Sequence, residues 1–337
     1  MNKRAIGMMN AMVGSLALAA CAFGSEADAT RGFPPDETPV AATPAASTPG
    51  GKPSDGTLSG GGRPTTLTPD DTVTFCEPVD GVELLMDIYY PDGHTTDSND
   101  PAVVYVHGGG WTTGSRNEGE GARYIPALVS QGYVVFAVDY RLAPEYEFPA
   151  QIEDVQCAVR HIRANAETYG IDSERIGAIG GSAGGQLVNV LGTAEEGDFD
   201  EVGGYEGYSS EVTAVVDMYG ASDFSDPNMA DHNAAHVQVF GTDTYEDDES
   251  NTLWMASAVN YIDNEDAAFL LLHGEEDPVV PISQSEIFYA ALGDAGNDAT
   301  FVRVENAGHA FVPTGGTPNP GANELTTYII DFFNSHL

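Results

Sequence analysis

The sequence predicts an α/β domain built on a mostly parallel sheet of about eight strands with helices on both faces. Two observations carry this. From about Thr72 onward, short apolar runs alternate with stretches of helical period, which is how a sheet covered on both sides reads. The first two runs also flank Asp80-Gly81, a turn pair favoured in tight hairpins, so the sheet begins antiparallel before it becomes parallel.

Strands are expected at Val73 to Glu77, Glu83 to Tyr90, Ala102 to Val106, Val134 to Val138, Arg175 to Ile179, Val212 to Met218, Ala268 to His273 and Thr300 to Val304. The clearest helix starts near Pro149. Ile152, Val155, Val159 and Ile162 recur at helical spacing, Glu153 and Asp154 lie early and Arg160 and Arg163 late, as the helix dipole prefers, and Gly170 lies beyond the end. Further helices are expected at Ala122 to Ser130, Ala183 to Thr193, Ser283 to Leu292 and Asn323 to His336. Gly220 to Ala267 is a long connection without strong period, which in a compact domain is either functional or carries small elements of its own.

Ahead of this domain, assigned to residues 72–337, lie two other segments. Residues 1–20 have a basic start (Lys3, Arg4) and a mainly apolar stretch too short and too weakly apolar for a membrane span, which predicts a signal peptide. Residues 21–71 are rich in Pro, Thr, Ser, Ala and Gly, including Ser59-Gly60-Gly61-Gly62. Such a segment buries too little surface to offset its ordering entropy and is expected to be a tether. The end of the signal, Leu18-Ala19-Ala20-Cys21, resembles the lipobox of bacterial lipoproteins. That resemblance implies lipidation at Cys21 and a secreted protein held at the outer membrane or cell surface by its lipid; the alternative is an ordinary secretory signal.

The chain carries 52 acidic and 12 basic residues, a formal charge of −40, and its only lysines are Lys3 and Lys52. Nucleic acid is not expected as a partner, because phosphate binding needs a cationic footprint. Such a surface suits a salt-adapted enzyme or an acidic secreted one. Cys76 and Cys157 would lie in an oxidising compartment where a disulfide is permitted; sequence does not set the distance between them.

The chemistry concentrates in four turns that follow strands. Gly180-Gly181-Ser182-Ala183-Gly184-Gly185 lies between an apolar strand and a helical stretch. Glycines there allow a sharp turn that presents the Ser182 hydroxyl as a nucleophile. His107-Gly108-Gly109-Gly110-Trp111 ends an earlier strand, and its glycines let backbone N–H groups approach a developing oxyanion. The expected donors are Gly109, Gly110 and Ala183, with His107 orienting the loop and Trp111 a pocket wall. Asp277 follows the run Leu270-Leu271-Leu272-His273, with Glu275 and Glu276 as alternatives for the acid. His309 follows the last strand and is the expected general base. The remaining histidines, His94, His161, His232, His236 and His336, are expected in loops or on helix surfaces.

The order Ser182, Asp277, His309 is that of the α/β-hydrolase fold. Together with Asp139-Tyr140-Arg141-Leu142-Ala143-Pro144-Glu145, the HGGGW and GGSAGG segments resemble the hormone-sensitive-lipase-like, carboxylesterase branch of that fold. Phe148 to Val155, Tyr169-Gly170-Ile171-Asp172 and Asp277-Pro278-Val279-Val280-Pro281 are most similar to the bifunctional feruloyl and acetylxylan esterases. The resemblance, spanning roughly Val73 to His309, implies a serine esterase acting on short-acyl or aromatic esters, such as acetyl or feruloyl groups on plant polysaccharides, without cofactor. It departs at Gly181, where the branch often has aspartate, and there is no room before His107 for a helical cap. Trp111, Phe224, Phe240, Trp254 and Tyr261 are therefore candidates for the pocket's outer wall. A peptidase of the same fold and an inactive surface-tethered binding protein are the competing readings. Asp243, Glu246, Asp247, Asp248 and Glu249 form an acidic cluster whose spacing matches no calcium loop and reads as solvated surface, and no zinc ligand set is present.

Overall fold

The structure is a computed structural model and describes residues 67–199 and 202–337. The expected signal peptide, Cys21 and most of the expected tether lie outside the described residues. Eight strands form one sheet: β1 Asp71–Cys76, β2 Leu84–Tyr89, β3 Asp100–Val106, β4 Val134–Val138, β5 Ile171–Gly181, β6 Ala214–Met218, β7 Ala268–Gly274 and β8 Ala299–Val304. Their order is β1-β2-β4-β3-β5-β6-β7-β8. β1 with β2 and β2 with β4 pair antiparallel, and every later pair is parallel.

The boundary at residue 72 moves forward. β1 begins at Asp71, the Asp70 amide bonds Ile88 O, and Leu67 packs against the core. β5 starts four residues before the expected Arg175, because Ile171 pairs with Asp100 through a polar stretch that carries no strand pattern.

Two apolar layers sandwich the sheet, as period-two alternation requires. Val104 and Val106 of β3 face one layer with α2 (Ala150–Ala164), α4 (Ala183–Thr193) and α7 (Ser283–Ala295). Val103 and Tyr105 face the other with α1 (Gly121–Val129) and α8 (Ala322–His336). A one-turn α3 (Ala166–Tyr169) closes on Gly170, whose φ of +61° needs no Cβ. The long connection carries α5 (Asn233–Phe240), α6 (Thr252–Met255) and short 3₁₀ turns.

α2 buries more than the apolar stripe that its sequence shows. Ile152, Val155, Val159 and Ile162 are fully buried, but so are Asp154 and Arg160, with Glu153 nearly so. Glu153 and Asp154 pair with Arg141 at 2.8 Å, while Arg160 and Arg163 donate to carbonyls of Val202, Ser209 and Glu211. His161 is likewise a core residue rather than a surface one. It lies between the hydroxyls of Tyr205 and Tyr169, 2.7 Å from each, and burial lowers its pKa to about 4. Beside it, Cys76 of β1 and Cys157 of α2 form a disulfide.

Candidate active site

The carboxyl edge of the sheet assembles the site. β5 ends in a turn where Ser182 sits at φ 56°, ψ −118°, a conformation an L-residue resists and the surroundings must impose. A β-carbon on Gly184 would lie 2.2 Å from Val106 O, and one on Gly180 2.3 Å from Gly184 O. Only glycine lets the turn close this tightly against the end of β3. Asp217, buried under the turn, braces it by accepting from Asn189 Nδ2 at 3.0 Å and from the Gly220 amide at 2.9 Å.

From this turn the Ser182 Oγ lies 3.0 Å from His309 Nε2, and His309 Nδ1 lies 2.8 Å from Asp277 Oδ2. Asp277 also accepts from the amides of Val279 and Val280 at 2.8 and 3.0 Å. Burial alone would raise its pKa, but hydrogen bonding from His273, from His309 and from the Val279 amide outweighs that and holds the carboxyl well below the usual range. The structure thus brings together Ser182, Asp277 and His309. Glu275 instead bonds Arg303, and Glu276 bonds Thr314.

Gly109 and Gly110 adopt φ of +126° and +59°, and the Gly109 carbonyl is tied back by the Thr112 and Thr113 amides. Among the described residues, no protein acceptor takes the N–H of Gly109, Gly110 or Ala183. These donors are the ones an oxyanion would use, since a helix start leaves its first amides unpaired. His107 is buried, bonds Gly108 O at 2.7 Å through Nδ1 and stacks on Tyr140 at 4.2 Å, while the Tyr140 hydroxyl donates to His107 O. The Asp139-to-Glu145 stretch therefore backs the glycine loop. Asp139 clamps Arg116, Tyr140 supports His107, Arg141 anchors on α2, and the Ala143 amide holds Trp111 O.

Trp111 donates from Nε1 to Gln186 Oε1 at 2.9 Å, and Gln186 Nε2 donates to Ala256 O at 2.9 Å. One buried side chain thereby links the glycine loop, α4 and the long connection. Of the five wall candidates, Trp111, Phe224 and Phe240 form one aromatic cluster with centroids 5.0–6.3 Å apart. Trp254 and Tyr261 pair elsewhere, lining a separate cleft of about 490 Å³ with Glu195, Asp198, Glu249 and Asp263. The acidic stretch 243–249 is largely exposed, and among the described residues no group of three or more metal-binding side chains converges.

Three residues of the site, Gln186, Tyr219 and Glu120, left no mark as motifs, and His273, whose sequence setting implies only local packing or bonding, does bond locally. His273 bonds Ser285 Oγ and Val280 O and lies 3.5 Å from Asp277. Gln186 joins the glycine loop to the long connection. Tyr219, at φ 47°, packs edge-on against His309 at 4.8 Å, and its hydroxyl is bonded to Glu120. The available signals were faint: a tyrosine before Gly220 at a strand end, and a glutamate between Gly119 and Gly121.

Comparison with known proteins bears on the fold and the family. The chain is 31% identical over 233 residues to the esterase LipQ of Mycobacterium tuberculosis, covering 68% of this chain and 55% of that protein. It thus spans little more than half the length of that curated relative. Among solved structures it resembles a bifunctional GH43-CE protein of Bacteroides eggerthii, with TM-score 0.67 and 29% identity over 78% of this chain and 38% of that one. A truncated carbohydrate esterase from gut microbiota matches at TM-score 0.62 and 26% identity, covering 81% and 98% of the two chains. The BD-FAE family model matches residues 86–292, a span that holds the glycine loop, Ser182 and Asp277. With an eight-stranded, mostly parallel sheet and more than half its length matched, this chain belongs to the BD-FAE family of α/β-hydrolases.

Proposed function

We propose that the protein is a serine carboxylesterase that hydrolyses short-acyl or aromatic carboxylic esters through an acyl-enzyme. The observation that carries this reading is the unbroken chain from Ser182 Oγ to His309 to Asp277, at 3.0 and 2.8 Å. In the proposed reaction His309 Nε2 takes the Ser182 proton as Oγ attacks the ester carbonyl, and Asp277 holds the tautomer and stabilises the imidazolium. The N–H groups of Gly109, Gly110 and Ala183 receive the oxyanion. Collapse expels the alcohol with the proton from His309. Water, deprotonated by the same histidine, then releases the acid.

Acetyl or feruloyl esters on plant polysaccharides are the proposed natural substrates. Support comes from the family match and from the likeness to the gut-microbiota carbohydrate esterase and to the bifunctional GH43-CE protein. A secreted, lipid-anchored placement is also proposed. The buried Cys76–Cys157 bridge favours an oxidising compartment, and intact-mass analysis of the processed amino terminus at Cys21 tests the anchor.

A panel of p-nitrophenyl acyl esters, methyl ferulate and acetylated xylan tests the substrate reading. Turnover of acetyl and feruloyl esters is expected. Activity confined to long acyl chains, or to peptides, would contradict it.

A further inference from the structure

Beside the nucleophile turn stands a carboxylate that the triad does not use. Glu120 opens α1, yet its side chain makes no capping bond to that helix. It reaches instead to the Tyr219 hydroxyl, its hydrogen-bond partner. A β-carbon placed on Gly181, the residue before Ser182, would lie 3.3 Å from Glu120 Oε2 and 2.9 Å from the Tyr219 hydroxyl. The carboxylate therefore fills the space that a side chain at 181 would occupy.

Its approach is built into the chain on both sides. A β-carbon on Gly119 would lie 3.0 Å from the Tyr105 hydroxyl, and one on Gly121 2.9 Å from the Tyr105 ring. The two glycines let the Glu120 segment lie directly on Tyr105 of β3. Among the described residues Glu120 enters no ion pair, so its charge meets a neutral phenol rather than a cation. Tyr219 is held at positive φ, 1% exposed, with its ring edge-on to His309 at 4.8 Å and to Phe311 at 4.9 Å. The Glu120 carboxylate on the far side of the Tyr219 ring adds negative potential at this place, and a nearby negative charge favours the charged form of an imidazole.

We propose that Glu120 is a positioning residue of this site: by holding Tyr219 against His309 and placing a fixed negative charge at the Ser182 turn, it stabilises the protonated imidazole formed during acyl transfer. The proposal rests on the reading of His309 as general base. The other groups facing His309 are Ser182 from the turn and Asp277 from the end of β7, with His273 behind Asp277. Those around Glu120 are Tyr105 from β3, Tyr124 from α1, with Arg123 on the Tyr124 side, and Tyr219 from the end of β6.

Removing the anion destabilises the imidazolium that forms as Ser182 gives up its proton, which lowers kcat and moves the acid limb of kcat/KM to lower pH. The experiment follows the His309 imidazole by NMR and, in parallel, p-nitrophenyl acetate hydrolysis against pH, in the wild type, Glu120→Gln and Glu120→Asp. In Glu120→Gln the NMR midpoint and the acid limb should both fall by about 0.5–1 pH unit, with kcat down roughly 3- to 10-fold and KM little changed. Glu120→Asp, which keeps the charge, should stay near the wild type. Unmoved midpoint and limb in Glu120→Gln would overturn the proposal. So would equal shifts in Gln and Asp, or loss of the fold in both Glu120→Gln and Glu120→Ala, which would assign the residue to structure. A wild type that hydrolyses no ester would defeat the esterase reading instead, and the NMR midpoint would still report on Glu120.

Discussion

The carboxyl edge of the sheet and the flank where β1 meets α2 are built on opposite terms. At the edge, Trp111, Ser182, Tyr219, Asn306, Ala310 and Phe311 are all non-glycine residues at positive φ, in the turns that carry or adjoin the site. Their conformations cost energy locally and persist because neighbours such as Asp217, Gln186 and Tyr140 hold them. On the flank, Cys76 and Cys157 close a separation of 81 residues, and His161 sits neutral between two tyrosine hydroxyls. Among the described residues, six of the eight non-glycine residues at positive φ lie at this edge and one, Tyr205, lies on the flank that the disulfide cross-links. A change at the edge should therefore cost activity with little loss of stability, and a change on the flank the reverse.

The largest expected effect is at the nucleophile. Ser182→Ala should lower kcat on p-nitrophenyl acetate by about 10⁴-fold or more. Its denaturant midpoint should match or exceed the wild type, because the strained residue loses only a hydroxyl; a large fall in stability would break the comparison. Asp277→Asn should cost roughly 10³- to 10⁴-fold in kcat, through the wrong His309 tautomer.

The flank comes next. Cys76→Ser with Cys157→Ser should lower unfolding stability by about 4.5 kcal/mol, the chain-entropy value for a separation of 81 residues. Measured by urea denaturation beside esterase assays, kcat should remain within about twofold. His161 adds a pH term. Its native pKa of about 4 lies below the ordinary value of 6.5, so the unfolded chain takes up the proton first. Its contribution is complete above the unfolded value and is lost as pH falls from about 6.5 to about 4, an effect of roughly 3 kcal/mol. Urea midpoints at pH 7 and 4.5 check it, and His161→Phe should flatten that difference. The smallest effect is expected at the brace: Gln186→Leu leaves the Trp111 N–H without its acceptor and should lower kcat/KM about 10-fold.

Much of this was legible in the sequence because it depends on local pattern. β2, β3, β4, β6, β7 and the second half of β5 follow apolar runs, since strands buried on both faces read as runs of Val, Ile and Leu, while the edge strands β1 and β8 show only a weaker alternation. Ser182, the glycine loop, Asp277 and His309 each lie in a turn after a strand, where glycine or position marks them. Glu120, Tyr219 and Gln186 were not legible: each is a single side chain whose meaning comes from a partner 70 or more residues away. His161, expected in a loop or on a helix surface, is buried for a related reason. α2 has a clear apolar stripe, but the loop at 202–211 covers its polar face as well, and no helical periodicity announces a covering loop.

The most direct test of the central claim is to expose the folded protein to a fluorophosphonate probe and map the adduct by peptide mass spectrometry. A single adduct on Ser182 is expected, absent in Ser182→Ala and slowed at least 100-fold in His309→Ala, since without the base the hydroxyl is an ordinary alcohol. No adduct on the folded wild type, or an adduct that His309→Ala leaves unslowed, would contradict the assignment of this edge as a serine-esterase active site.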